Sequence, residues 1–205
     1  MSVIYIMEYK LEVLSPILAG LSNDYFSFRV FAKADFSDFK IISRIKLTNE
    51  DFAGHEKEME EKGRDTVLKE LYEKKKEVIE KELLKSGYIK LGYLFPRKHY
   101  DIDSIKTKED YINWIDYLTV FSRGLIFTLE KEHKIKTKIE EIKPINVSLG
   151  VHLFYYDNVK VVIAYEAILP GSLFSITFDS KIEPEITASI GRLRKFGFGR
   201  VIIKE

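Results

Sequence analysis

Tyr9, Leu11 and Val13 alternate with Glu8, Lys10 and Glu12, a period of two that gives a strand one apolar face and demands a layer to cover it. The same period returns where Ile135, Thr137 and Ile139 alternate with Lys134, Lys136 and Lys138. It returns again on both sides of Asp157-Asn158, where residues 147–156 and 159–169 read as the clearest hairpin of the chain. Further extended segments are expected at 25–31, 41–47, 88–95, 173–178 and 198–203.

Helical spacing interrupts this pattern. Between His55 and Ser86, Val67, Leu68, Leu71, Tyr72, Val78 and Ile79 fall on one stripe of a long helix, interrupted near Gly63 and stopped by Gly87. Nine basic and ten acidic side chains between Glu56 and Lys85 leave its field near neutral, as a solvated face laced with i,i+4 pairs would be. A second helix is expected after Thr107, with Tyr111, Trp114, Ile115 and Leu118 inward, running towards Gly124. A short third helix is expected over 184–190. Strands joined as hairpins, helices between them and a closing helix-then-strand predict one α+β domain spanning 1–205. Its expected type is a ferredoxin-like (RRM-related) antiparallel sheet with a charged helical insertion at about 52–87.

With 205 residues, 45% of them hydrophobic, the chain is long enough for one sizeable core. The absence of cysteine removes disulfide frameworks, Cys-ligated metal centres and thiol nucleophiles. No apolar run approaches the roughly 20 residues of a spanning helix, and the first seven residues lack a cleavage signature, so a cytoplasmic chain with no membrane contact is expected. No histidine pair has ligand spacing, so neither a metal nor a cofactor is expected. A net charge of +1 argues against indiscriminate coating of nucleic acid but leaves room for a local basic patch.

That patch is at the C-terminus. Between Ile186 and Lys204 stand five basic residues and no acidic one, and three of the eight arginines fall in the last fourteen positions. Gly191, Gly197 and Gly199 allow positive φ and close approach, so that main-chain N–H groups and the forks of Arg192, Arg194 and Arg200, with Lys195, can meet a phosphate. The competing reading is a glycine-rich turn whose arginines complement the dipole of a preceding helix. The segment is neither a Walker loop, nor a dinucleotide fingerprint, nor an RNP1 string.

Gly191-Arg192-Leu193-Arg194-Lys195-Phe196-Gly197-Phe198-Gly199-Arg200-Val201 resembles the C-terminal glycine-rich loop of the RAMP superfamily of CRISPR-associated proteins. Leu14-Ser15-Pro16-Ile17-Leu18-Ala19-Gly20 is similar to the opening of that superfamily, and Ala167-Ile168-Leu169-Pro170-Gly171-Ser172-Leu173-Phe174 resembles its Pro-Gly-Ser/Thr turn before a late strand. The resemblance implies a ferredoxin-like protein that binds CRISPR RNA beside other CRISPR-associated subunits, most like the subunits of type III interference ribonucleoproteins. The early Pro-Gly-Ser-Ser-Leu-type motif of their backbone subunits has no counterpart here. The alternative within the superfamily is a metal-independent endoribonuclease that processes CRISPR repeat RNA.

Such cleavage needs a base near the 2′-hydroxyl and an acid near the leaving oxygen. His55, before a helix, and His99, beside Arg97, Lys98 and Tyr100, are the candidates, set against a helix start and a basic surface loop respectively. His152 reads as packing and His133 as solvent-facing. Asp24, Asp35 and Asp38 read as turn residues. Lys134, Lys136 and Lys138 form either an RNA-contacting rail or a guard on a sheet edge. Of Tyr155 and Tyr156, at most one can stack on a base from a given face.

Overall fold

A computed structural model describes residues 6–18, 29–42, 45–91 and 103–205. The segment expected at 25–28, the end of the strand expected at 88–95, Asp24 and His99 lie outside the described residues.

The alternation at the start of the chain becomes β1 (Met7–Val13), the middle of a five-stranded sheet. Its partners are β9 (Leu173–Phe178) and β11 (Arg200–Lys204), flanked by β6 (Ile139–Asn146) and β10 (Ile186–Ser189). The order is β10-β11-β1-β9-β6, and every neighbouring pair is antiparallel. Leu11 stands opposite Ile203 on one side and Phe174 on the other, so the period of two places Leu11, Val13, Phe174, Ile176, Val201 and Ile203 on one buried face.

The helix α5 (Tyr117–His133) covers that face. Tyr117, Phe121, Leu125 and Leu129 recur every four residues and are all buried, and the Tyr117 and Phe121 rings meet Phe174 edge-on at 4.9 and 5.0 Å. Each such side chain contributes about 2 kcal/mol by its burial. The other face of the sheet carries Lys10, Ser175, Arg200 and Lys204, and the Lys204 ammonium pairs with Glu12 at 2.5 Å.

Two smaller sheets complete the molecule. Near Ser15-Pro16 the chain leaves β1 for β2 (Ile17–Leu18), which joins the hairpin of β7 (Leu149–Tyr156) and β8 (Val161–Ile168) in the order β2-β8-β7. The third sheet, β4-β3-β5, is built from β3 (Arg29–Lys33), β4 (Phe39–Ile42) and β5 (Tyr88–Lys90). The charged insertion follows β4 as α1 (Asn49–Phe52), α2 (Glu56–Lys62) and α3 (Arg64–Lys85), and the last two are broken at Gly63. Val67 is the one residue of α3 that is fully buried. The chain is thus a mixed α+β protein with antiparallel sheets and five helices among the described residues. No helix there is long and apolar enough to cross a membrane.

Four expectations are corrected. Of the strand expected at 41–47, Ile41 and Ile42 end β4, whereas residues 45–48 form no strand and lead to α1, whose start is fixed by Thr48 and Asp51. The helix after Thr107 is two helices, α4 (Lys108–Trp114) and α5, because Asp116 accepts a hydrogen bond from the Thr119 amide at 3.3 Å and starts a new helix. The new helix runs past Gly124 to His133. Residues 186–189 are strand β10, not helix, because Ile186 and Ala188 pair with Ile203 and Val201 along an edge of β11 that would otherwise be bare. The stretch 134–138 is not a strand either, because Lys134 takes the left-handed conformation that ends α5, and β6 begins only at Ile139.

Candidate nucleic-acid interface

Residues 14–18, 167–174 and 191–201, from the three segments quoted above, lie far apart in sequence and meet at one corner of the fold. Two are places where the chain passes between the five-stranded sheet and the hairpin sheet, and the third is a loop of the five-stranded sheet that reaches across to the hairpin sheet. At the first crossing, β1 gives way to β2 through Leu14, Ser15 and Pro16. At the second, β8 gives way to β9 through Pro170-Gly171-Ser172, where the Gly171 amide donates to the Val13 carbonyl at 2.8 Å and the Val13 amide donates to Ser172 at 2.9 Å. Ser172 is buried, and its hydroxyl donates to the Leu169 carbonyl at 2.7 Å.

The third segment is the basic loop, which leaves the five-stranded sheet after β10 and rejoins it as β11. The Arg192 amide donates to the Leu18 carbonyl at 3.0 Å, so the loop touches the end of β2 before returning to the main sheet. A Cβ on Gly191 would stand 2.8 Å from that same Leu18 oxygen, so the approach requires glycine. Arg194–Phe196 form a single 3-10 turn, closed by the Gly197 amide on the Arg194 carbonyl at 3.0 Å. Ser15 clasps the far side: its hydroxyl donates to the Gly197 carbonyl at 2.8 Å and accepts from the Arg200 amide at 2.9 Å. The Gly199 amide donates to the Pro16 carbonyl at 2.8 Å. The amides of Gly197 and Gly199 are therefore spent on holding the loop. Those of Gly191, Leu193, Arg194, Lys195 and Phe198 form no hydrogen bond with another described residue.

No helix precedes Arg192 and Arg194, so they complement no helix dipole. Both are exposed, as are Lys195 and Arg200, and none of the four forms an ion pair among the described residues. Arg200 shares the open sheet face with Lys204, opposite to buried Val201. Arg192 lies near enough to Tyr165 for its charge to favour the phenolate, but burial dominates, with help from the hydrogen bond to Tyr156, and the Tyr165 phenol is pushed up to about 12. The two hydroxyls stand 2.9 Å apart.

The underside of the loop is aromatic. Phe198 is half-buried, 4.9 Å from the His152 ring and 6.3 Å from Phe154, and Leu193 and Phe198 pack on Leu18, Tyr165 and Ala167. His152 thus packs, as its alternation predicts, and it is a histidine that the fold brings to the loop. Tyr156 shares this face, while Tyr155 is exposed on the opposite face of the hairpin. Sequence reasoning passed over Ser15, Phe196, Phe198 and Tyr165. Only the Ser-Pro bend and the paired phenylalanines between glycines hinted at them.

The other candidates lie elsewhere. His55 directly precedes α2, at its N-cap position, without a side-chain capping bond, its ring 2.9 Å from the Glu58 carboxylate. His133 is exposed at the end of α5 and reaches the Thr187 carbonyl at 2.8 Å. Asp35 accepts from the Ser37 amide within its turn, and Asp38 accepts from the Tyr88 hydroxyl. Lys136 and Lys138 border a cleft of about 390 Å³ that also holds Glu130 and Asp179. They lead into Ile139, which pairs with Phe178, the partner of Met7, whereas the loop adjoins Val13. The lysines and the loop are therefore at opposite ends of β1, separated by about 20 Å at 3.3 Å per residue. No group of three or more His, Asp or Glu side chains among the described residues is arranged to hold a metal ion.

Comparison of the chain with protein families, with curated proteins and with solved structures finds no match.

Proposed function

We propose that the chain is a CRISPR RNA-binding subunit of a type III-like interference ribonucleoprotein, working in the cytoplasm beside other CRISPR-associated subunits. One observation carries this reading. The three segments similar to the RAMP superfamily converge on a loop whose four cations, Arg192, Arg194, Lys195 and Arg200, are exposed and have no carboxylate partner among the described residues. A cluster of unpaired guanidinium groups above a rigid backbone suits phosphate, because the forks stay free and the loop needs no reordering on binding. We take the architecture as ferredoxin-like (RRM-related). The order β11-β1-β9-β6, antiparallel throughout, supports it, although β10 stands where that fold has its second helix.

A salt series on CRISPR-repeat RNA tests the reading. Affinity is expected to fall linearly on a log–log plot, with a slope set by the number of phosphates neutralised. No binding at low ionic strength, by either the isolated chain or its complex, overturns it. Incubation of the same RNA with the protein and EDTA separates binding from processing: intact RNA is expected, and defined fragments would make the chain a metal-independent endoribonuclease instead.

A further inference from the structure

We infer that Phe196 is a base-stacking residue, at which the loop grips an unpaired nucleobase rather than a phosphate; this rests on the RNA-binding reading above. Phe196 is 69% exposed, more than any other large apolar side chain among the described residues. Two positions on, Phe198 turns inward and joins a small apolar cluster with Phe154, Leu193 and Tyr165, so the loop does have an apolar interior. Phe196 is nevertheless held out of it.

The ring is positioned. Its amide donates to the Leu193 carbonyl at 2.9 Å within the 3-10 turn, and the ring leans on Phe154 with centroids 5.9 Å apart and planes tilted by 54°. One edge is thereby supported while most of the surface stays open. Arg194 and Lys195 directly precede it in the chain and Arg192 stands four positions back, all three exposed, with no acidic residue anywhere between Ile186 and Lys204. An apolar protein contact would call for further exposed apolar surface beside the ring, whereas Phe154 beneath it is half-buried and the exposed residues next to it in the chain are cations. A ligand that offers a flat aromatic face and negative charge within one residue's reach is a nucleotide, and the base must be unpaired to expose its face. Stacking of this kind tolerates any base, because each has a π-face, so Phe196 adds affinity for single strands without reading sequence.

The test uses the full chain with two probes of equal length and charge, a 12-nucleotide oligoadenylate and a 12-unit ribose–phosphate oligomer without bases. Wild type is expected to prefer the oligoadenylate by about 5- to 150-fold. Phe196→Ala should lose most of that preference while keeping the affinity for the baseless oligomer, the salt slope and the thermal midpoint. Phe196→Trp should retain the preference, with fluorescence quenched by the oligoadenylate; Trp114, 6% exposed, supplies a constant background. If Phe196→Ala binds oligoadenylate like wild type while Arg192→Ala/Arg194→Ala binds it more weakly, stacking is overturned and the RNA-binding reading stands. If Phe196→Ala keeps its RNA affinity but no longer co-purifies with other subunits, the ring is a protein contact and stacking is again overturned. If wild type binds neither probe at low salt, both readings fall.

Discussion

Ile190 donates its amide to the Gly199 carbonyl at 2.8 Å, and its own carbonyl oxygen lies 1.7 Å from where a Cβ on Gly199 would be. The basic loop therefore begins and ends on one tight contact between residues nine positions apart, with Gly199 at φ +75°. Gly199→Ala has to move backbone rather than a side chain, and is expected to cost about 3–5 kcal/mol in urea unfolding. Gly197 has a similar φ of +88° but nothing within 4 Å of its absent Cβ, so Gly197→Ala should cost only the left-handed penalty of about 1–2 kcal/mol. Equal losses at the two sites would show that conformation, not close approach, fixes Gly199.

Ser15 links the loop to the first crossing through two hydrogen bonds. Ser15→Ala leaves the Arg200 amide without its acceptor and should cost about 1–2 kcal/mol. Faster hydrogen exchange at Arg200, with exchange in α5 unchanged, would localise the loss. Uniformly faster exchange would mean that the clasp supports the whole sheet.

How much of this was legible in the sequence depended on whether local pattern and tertiary partner agreed. The break at Gly63, the start of α4 after Thr107 and the hairpin about Asp157-Asn158 are local events, and they fall where the sequence places them, except that the turn takes four residues, 157–160, and β8 starts at Val161 rather than at 159. The stretch 184–190 failed because Ile186 and Ala188 take their conformation from the edge of β11, which no local pattern reveals. Asp116 and Thr119 did carry a helix-start signal that the continuous apolar stripe of Trp114, Ile115 and Leu118 concealed. At the site, the charges were legible because composition is additive. That Ser15 would clasp Arg200, or that Phe196 and Phe198 would point opposite ways, depends on contacts across more than 40 residues.

Asp179 gives stability a dependence on acid. The Lys138 amide and the Thr137 hydroxyl, each at 2.9 Å, hold its carboxyl below the ordinary carboxylate range. The unfolded chain binds this proton more readily than the folded one, so the contribution is complete above the unfolded value of about 3.9 and is lost as pH falls through the lower folded value. Asp179→Asn should flatten the acid limb of the urea midpoint measured from about pH 6 down to about pH 2.5. Asp51 and Asp110, lowered by Lys75 and by the Lys106 amide respectively, keep part of that limb in the variant. An unchanged limb would mean that Asp179 is equally protonated in both states.

Arg192 and Arg194 are exposed, and the one structural bond of Arg192 in the loop runs through its backbone amide to Leu18. Replacing both by Ala leaves that bond intact, so the thermal midpoint should reflect a change of no more than about 0.5 kcal/mol. If each guanidinium neutralises one phosphate of single-stranded RNA, the log–log salt slope should fall by about 0.7 per contact, or about 1.4 for the pair, with similar weakening for every RNA sequence. Lys136→Ala/Lys138→Ala removes the same charge from the far end of the sheet, beside Glu130 and Asp179, and should leave the slope unchanged. Equal losses from the two pairs would mean that RNA responds to overall charge rather than to the loop. A double arginine variant that melts early, yet binds with unaltered affinity per folded molecule, would make these side chains structural and the phosphate assignment wrong.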